Sequence, residues 1–163
     1  MSDHSLQAKA PGLTQVEMTE IVLPNDANPL GNMLGGRLLH LIDIAAAIPA
    51  IRHAGRPCVT ASFDSVDFLT PVHVGEACIL KAKVTWVGRT SIEVGVDVYS
   101  ENLISGERRH TTTAFTTFVA LDPATGRPAE IPPLAPETEE EKRAFEEGRI
   151  RREQRLARRG RRP

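Results

Sequence analysis

The chain has 163 residues, 40% of them hydrophobic and 25% charged, with a formal net charge of −1. Those proportions describe an ordinary globular protein with room for one real core, and no apolar run approaches the roughly 18 residues that a membrane-spanning helix needs. Two cysteines without CxxC spacing, Cys58 and Cys78, exclude a disulfide framework and read as small core residues. The opening residues lack the basic and apolar regions of a signal peptide, so the expected location is cytoplasmic. The small net charge hides an asymmetry. Eight arginines and one glutamate lie from Gly148 to Pro163, a local +7, so the other 147 residues carry −8.

Residues 1–12 read as a short flexible start. Over residues 15–23 the alternation of Val16 and Met18, then Ile21 and Leu23, predicts a strand with an irregularity. Pro24 and Pro29 bracket Asn25-Asp26-Ala27-Asn28, which is turn chemistry. Gly35 and Gly36 then open a helix that should run to Ala54, kinked by Pro49 and stopped at Gly55. Only His40 and Asp43 are polar between Leu38 and Ile48. A helix apolar all round is normally buried. An ionised carboxylate in such surroundings costs free energy unless it has partners, and aspartate is a mediocre helix former. Asp43 is therefore a candidate for chemistry, with a helix residue facing a polar partner as the equal alternative from these residues alone.

A strand is expected over residues 58–68, ended by Thr70-Pro71. Two long strands follow, over 77–87 and 91–99. Leu80, Ala82, Val84 and Trp86, then Ile92, Val94, Val96 and Val98, make one buried face. Lys81, Lys83, Thr85, Glu93 and Asp97 make a wetter one. Gly88-Arg89-Thr90 joins them as a tight hairpin, and a fifth strand spans 110–121. The order is strand, buried helix and four strands in an antiparallel meander. That implies an α+β fold in which one curved antiparallel sheet wraps a central helix. Pro123, Pro128, Pro132, Pro133 and Pro136 mark an extended connector. Residues 137–159 then form a charged, solvated helix, acidic first and basic last, as the helix dipole favours. The divisions are thus 1–12, 13–122 for the domain, and 123–163 for connector and basic helix.

The strings PNDANPLGNMLGGRLLHLIDIAAAIPAIRHAG, VTASFDSVDFLTPVHVGE and VGRTSIEVGVDVYSEN together resemble the hotdog-fold acyl-CoA thioesterases. The subgroup is the cytosolic acyl-CoA hydrolases, with bacterial single-domain and brain-type double-domain members. The resemblance runs from about Val22 to Leu121 and continues loosely into EEGRIRREQRLARR, which looks like their basic C-terminal helix. It implies hydrolysis of acyl-CoA to fatty acid and CoA, with acyl-CoA as the partner molecule and no cofactor beyond the CoA of the substrate. It also implies homo-oligomers, tetramers or hexamers, built from dimers joined edge to edge. In that family a carboxylate on the central helix and an asparagine in the preceding loop carry the chemistry, and the matching positions are Asp43 and Asn28.

Thioester hydrolysis releases a thiolate, a leaving group with a pKa near about 8.5 that needs little protonation. The reaction needs a base to activate water or a nucleophile to form an anhydride, and one carboxylate can serve either role. No GxSxG elbow or Ser-His-Asp order offers the α/β-hydrolase solution. The plainer reading of Asp43 is a helix residue facing His40, and that of Asn28 is a turn residue, with Asn32 as its rival. Gly35 and Gly36 serve a tight turn. They could also admit a thioester carbonyl to backbone N–H groups at a positive helix end, with Gly36 as the oxyanion donor. Leu34 stands where some hotdog relatives carry histidine, so no imidazole acts there.

His4, His40, His53, His73 and His110 show no metal-ligand spacing, and no metal is expected. His40 and His53 read as structural, the latter near a helix C-terminus, where a cation is welcome. Gly88-Arg89-Thr90-Ser91 reads plainly as a turn. The resemblance implies that it contacts CoA, Arg89 near phosphate and Thr90 and Ser91 offering hydroxyl and N–H groups. It implies likewise that Ala61, Ser62 and Phe63 border the pantetheine arm. The arginine tail is a solvated helix, a nucleic-acid arm or a phosphate clamp. The single tyrosine and tryptophan lie in strands and leave it no stacking platform, so neither nucleic acid nor membrane is an expected partner. Arginine forks suit the CoA phosphates, and Arg149, Arg151 and Arg152 recur on neighbouring turns. A hotdog acyl-CoA-binding module without turnover is the alternative of a different class. A hotdog hydratase would pair a histidine with an acid, and no histidine suits that role.

Overall fold

Period-2 sequence resolves into five strands in the computed structural model, which describes residues 6–161. They are β1 (Val16–Ile21), β2 (Cys58–Phe63), β3 (Ala77–Val87), β4 (Ser91–Glu101) and β5 (Arg108–Ala120), with helices α1 (Gly35–Ala54) and α2 (Glu139–Arg159). One antiparallel sheet has the order β1-β3-β4-β5-β2. The expected four-strand meander holds only for β3, β4 and β5. β2 pairs β5 at the far edge, and β1 takes the place beside β3. The 20-residue α1 is the reason: at 1.5 Å per residue it spans about 30 Å and carries the chain from one sheet edge to the other. β2 also stops at Phe63 rather than 68, and the chain beyond keeps only scattered bonds to β5: Asp64 N–H to Phe115 O, Leu69 N–H to Thr111 O and Thr70 Oγ1 to His110 O.

The inner face of the sheet holds Leu80, Ala82, Val84, Val94, Val96, Val98, Ala114 and Phe118. They pack on Leu38, Leu41, Ile42, Ala45, Ala46 and Ala50 of α1, where the alanines let helix and sheet approach closely. Pro49 sits inside a continuous helix, and Gly55 ends it at φ 62°, its N–H bonded to Ile51 O. Burial of α1 is one-sided within the chain. Ile44 and Ile51 remain 41% and 44% exposed, because five strands cover only one flank.

The outer face departs from the expected wet surface. Glu93 is fully buried, because α2 lies across this side rather than standing in solvent. A bulge at Thr85 shifts the β3–β4 register, so that Trp86 pairs Glu93 and turns outward beneath α2. Gly148 makes the contact possible: a Cβ there would lie 2.6 Å from Trp86 Cβ and 2.9 Å from Glu93 Oε1. Arg151 donates through Nε (3.0 Å) and Nη2 (2.8 Å) to the Glu93 carboxylate, and Thr85 Oγ1 adds a bond of 2.6 Å. Arg155 Nη1 bridges Glu93 and Asp64, each at 3.2 Å. Burial alone would push the Glu93 carboxyl up, but these donors outweigh it and hold the group below the ordinary carboxylate range. At the start of α2, Thr138 and Glu141 form a capping box. Glu141 is drawn down to about 2 by the Lys83 ammonium, then by the N–H groups of Glu137 and Thr138.

Connector and N-terminal segment brace each other. Lys9 N–H donates to Pro133 O, Ala135 N–H donates to Lys9 O, and Pro11 is buried in a short 3-10 turn. Part of the start read as flexible is therefore tied down, while residues 1–5 of it lie outside the described residues. His53 is fully buried, with Nε2–H donating to Pro132 O at 2.8 Å. Burial lowers its pKa, which disfavours the cation that a helix end alone would welcome, and the ring packs as a structural core residue. Burial likewise pushes the Cys58 and Cys78 thiols up to about 11 and about 12, which leaves them unreactive.

Candidate active site

Asp43 lies on the flank of α1 that faces β2. Thr60 Oγ1 donates to Asp43 Oδ1 at 2.7 Å. The carboxylate is half-buried, and among the described residues it has no ion pair and no second hydrogen bond. His40 does not partner it. Thr60 was not singled out in the sequence, although it immediately precedes the Ala61-Ser62-Phe63 segment that was. Its role arises from a β-bulge. Pairing with β5 jumps from Thr60↔Phe118 to Ser62↔Thr117, leaving Ala61 as the extra residue. Bulges re-aim side chains in this way. Ser62 Oγ is buried without a partner, and Phe63 is 38% exposed. Among the described residues β2 pairs only with β5, so its other edge is open, and Val59 and Phe63 of β2 and Ile44 and Ile51 of α1 are exposed. An open edge beside exposed apolar surface is the mark of a protein contact.

Asn28 is held by its own loop. Its Oδ1 accepts from Leu30 N–H (3.0 Å) and Asn32 N–H (3.1 Å), and its backbone N–H donates to Asn32 O (2.8 Å). The oxygen is consumed in an Asx turn, which leaves the amide NH2 to donate elsewhere. Turn role and functional role are thus compatible at Asn28. The rival Asn32 has its Oδ1 bonded to His73 Nδ1 at 2.8 Å. Asp26 ties the loop to α1: its O accepts from Leu34 N–H, and its carboxylate lies 3.1 Å from Arg37 Nε. No hydrogen bond joins Asn28 to Asp43 within the chain.

At the start of α1 the first helical bond is Leu38 N–H to Leu34 O, so the N–H groups of Gly35, Gly36 and Arg37 project from the positive end of the helix. Leu34 supplies no side-chain cap. A Cβ on Gly35 would meet the Phe68 ring at 3.4 Å, whereas one on Gly36 would meet nothing within 4 Å. The space above Gly36 is open to a ligand.

The β3–β4 turn is closed by Gly88 N–H to Ser91 O. Ser91 aligns with Val119 of β5, which aligns with Val59 of β2. Arg89, Thr90 and Ser91 therefore stand at the Thr60 end of the sheet, two strand spacings or about 10 Å across it. The Arg89 side chain is 80% exposed, with Glu130 3.6 Å away.

The tail arginines are placed differently. α2 lies on the opposite face of the sheet from α1, and the structure does not bring Arg149, Arg151 or Arg152 to the Asp43 of their own chain. Arg149 is paired with Glu146 and Glu153, and Arg152 lies 5.1 Å over the Trp86 ring. Arg151, locked to Glu93 and stacked 3.6 Å over Phe115, is withdrawn from any phosphate clamp. A cleft of about 620 Å³ beneath α2, bordered by Lys83, Phe115, Glu141 and Arg151, lies on that same remote side. Among the described residues no cluster of three or more metal-ligating side chains occurs.

The chain thus offers a lightly bonded carboxylate, an amide donor and a free helix N-terminus, which the structure does not join by hydrogen bonds within one chain. Known proteins share this sequence and fold. Residues 30–106 match the model of the thioesterase superfamily. An uncharacterised acyl-CoA thioester hydrolase, YkhA of Bacillus subtilis, is 48% identical over 128 residues, covering 78% of this chain and 74% of that protein. A hexameric acyl-CoA thioesterase solved in its apo form superposes with a TM-score of 0.91 at 45% identity, covering 96% of this chain and all of that one. The acyl-CoA hydrolase of Staphylococcus aureus, solved with butyryl coenzyme A and coenzyme A, gives a TM-score of 0.87 at 37% identity, over 93% of this chain and 92% of that one. The same enzyme has been solved with an aspartate, an asparagine or a threonine replaced by alanine. By fold, by sequence and by the match over most of its length, this chain belongs to the hotdog-fold thioesterase superfamily.

Proposed function

We propose that the protein is an acyl-CoA hydrolase in which Asp43 performs the chemistry. The observation that carries this reading is the half-buried Asp43 carboxylate, held at one oxygen by Thr60 and without another partner among the described residues. Oδ1 is fixed by the threonine hydroxyl, so Oδ2 is oriented to take a proton from water or to add to the thioester carbonyl. The Gly36 N–H at the positive helix end stabilises the developing oxyanion, a contribution that often dominates acyl transfer. The Asn28 NH2, pre-oriented by its Asx turn, positions water or the thioester. Departure of a thiolate requires no strong acid. Arg89, Thr90 and Ser91 take the nucleotide half of CoA, and Ala61, Ser62 and Phe63 line the pantetheine arm. No metal or further cofactor is required.

The open β2 edge and the exposed apolar flank of α1 support an oligomer built by edge-to-edge pairing, consistent with the hexamer of the 45% identical relative. Each site then takes Asn28 from one chain and Asp43 from the other. Arg149 and Arg152, which face away from their own Asp43, reach CoA phosphate only on a neighbouring chain. The resemblance to the cytosolic hydrolases supports a cytoplasmic location.

Thiol release measured over acyl-CoAs of increasing chain length tests the assignment. Turnover with at least one of them is expected, while binding without release in every case establishes the non-catalytic module instead. Mixed assemblies test the shared site: Asn28→Ala and Asp43→Ala chains, each nearly inactive alone, should regain part of the activity when co-refolded. Failure in verified mixed dimers would return both residues to one chain.

A further inference from the structure

The Asn28 loop is braced by a second segment to which nothing so far assigns a part in the reaction. Residues 31–33 and 72–74 run as a short antiparallel pair, with Met33 N–H on Val72 O (2.7 Å) and Val74 N–H on Gly31 O (3.0 Å). At its centre Asn32 faces His73. His73 Nδ1 lies 2.8 Å from Asn32 Oδ1, and since an amide oxygen can only accept, this ring nitrogen carries the hydrogen. Asn32 passes the restraint on, because its N–H donates to Asn28 Oδ1 and its O accepts from Asn28 N–H.

Behind His73 the support is charged. Glu76 Oε2 accepts from His73 N–H at 2.9 Å, Glu76 N–H returns a bond to His73 O at 3.0 Å, and Arg109 of β5 holds Glu76 Oε1 at 2.9 Å. Three residues distant in sequence thus stand in line behind one amide. We infer that His73 is a positioning residue: through Asn32 it fixes the rotation of the Asn28 amide so that its NH2, not its oxygen, points away from the loop. The inference rests on the role proposed for Asn28. The histidine touches no substrate and exchanges no proton in the reaction, and its contribution is the Nδ1–H bond.

The bond can be removed and restored. His73→Ala should lower kcat roughly tenfold, the scale of one hydrogen bond, while KM changes less than about twofold. His73→Asn places an amide N–H near the position of Nδ1–H and should recover most of the loss. The double variant His73→Ala with Asn28→Ala should be no slower than Asn28→Ala alone, because residues acting through one group are not additive. Nitrogen NMR of the intact protein should show hydrogen on Nδ1 of His73. Wild-type kcat in His73→Ala, losses that multiply in the double variant, or hydrogen absent from Nδ1 overturns the role of His73 alone. Wild-type turnover in Asn28→Ala overturns the reading of Asn28 and the role of His73 with it. If His73→Ala fails to fold, His73→Asn decides: kcat near wild type supports the bracing role, and a tenfold loss in the folded variant refutes it.

Discussion

Two carboxylates on opposite faces of one sheet have been given opposite environments. Glu93, on the outer face, is fully buried and receives hydrogen bonds from Arg151, Arg155 and Thr85. Asp43, on the inner side at the edge of α1, is half-buried and receives one, from Thr60. Charge and hydrogen bonds occupy Glu93 so completely that it is a fastener, coupling α2 to β4 and, through Arg155 and Asp64, to the end of β2. Asp43 retains lone pairs and access to solvent, which a base or nucleophile requires. What separates the structural carboxylate from the one proposed to react is the number of donors already committed to it.

Exchanging each carboxylate for its amide sharpens the contrast most. Asp43→Asn should reduce turnover by roughly 10²–10⁴ while melting behaviour and CoA binding persist. Glu93→Gln should leave turnover per folded molecule near normal and cost about 3–5 kcal/mol of stability, since one partner of a buried ion pair is lost. Denaturant titration alongside thiol release reads both. A stability loss at Asp43 matched by an activity loss at Glu93 would reverse the comparison.

Thr60→Ala comes next. Losing a hydrogen bond to a charged group is worth about 1.5–3 kcal/mol, so kcat should fall roughly 10- to 100-fold, with Thr60→Ser retaining most of it. Unchanged kcat in Thr60→Ala would mean that Asp43 orients itself.

Acid should loosen the fold in two stages. The folded-state pKa of His53 lies below its unfolded value, so its contribution is present above about pH 6.5 and declines as pH falls below that value. Glu93 has the same sign, because its folded pKa is also depressed; its contribution begins to fall below about pH 4.3. Each group should add a slope of at most about 1.4 kcal/mol per pH unit. His53→Gln should flatten the upper stage alone, as followed by denaturation midpoints against pH.

The smallest effect is expected at Arg152. Exposed ion contacts are worth about 1 kcal/mol or less, so Arg152→Ala should raise KM for acyl-CoA a few-fold at low salt, leave kcat unchanged, and lose its effect as salt is added. An unaltered KM at low salt removes this arginine from the CoA site. Deleting residues 148–163 is a poorer test, because it also strips Arg151 and Arg155 from buried Glu93.

Local periodicity carried much of the fold. The bounds of β3, the α1 stop at Gly55 and the anomaly of Asp43 in an apolar helix were all legible from neighbours within a few residues. The Asn28 turn was legible for the same reason, since Asx chemistry is satisfied inside its own loop. What covers a face is not local. Alternation placed Glu93 opposite the core, but only the folding-back of α2 on Gly148 and the Thr85 bulge made that position dry and turned Trp86 beneath the helix. The transfer of β2 to the β5 edge, and with it the Thr60–Asp43 bond, depends on pairing between residues far apart in the chain. The burial that lowers the His53 pKa depends on Pro132 and the connector packed over it, although the helix end alone favours a cation. Sequence determines which side chains share a face, because backbone geometry repeats every two or 3.6 residues. Tertiary structure decides which of those faces meet water, because desolvation and ion pairing are properties of whatever long-range contact brings the covering surface.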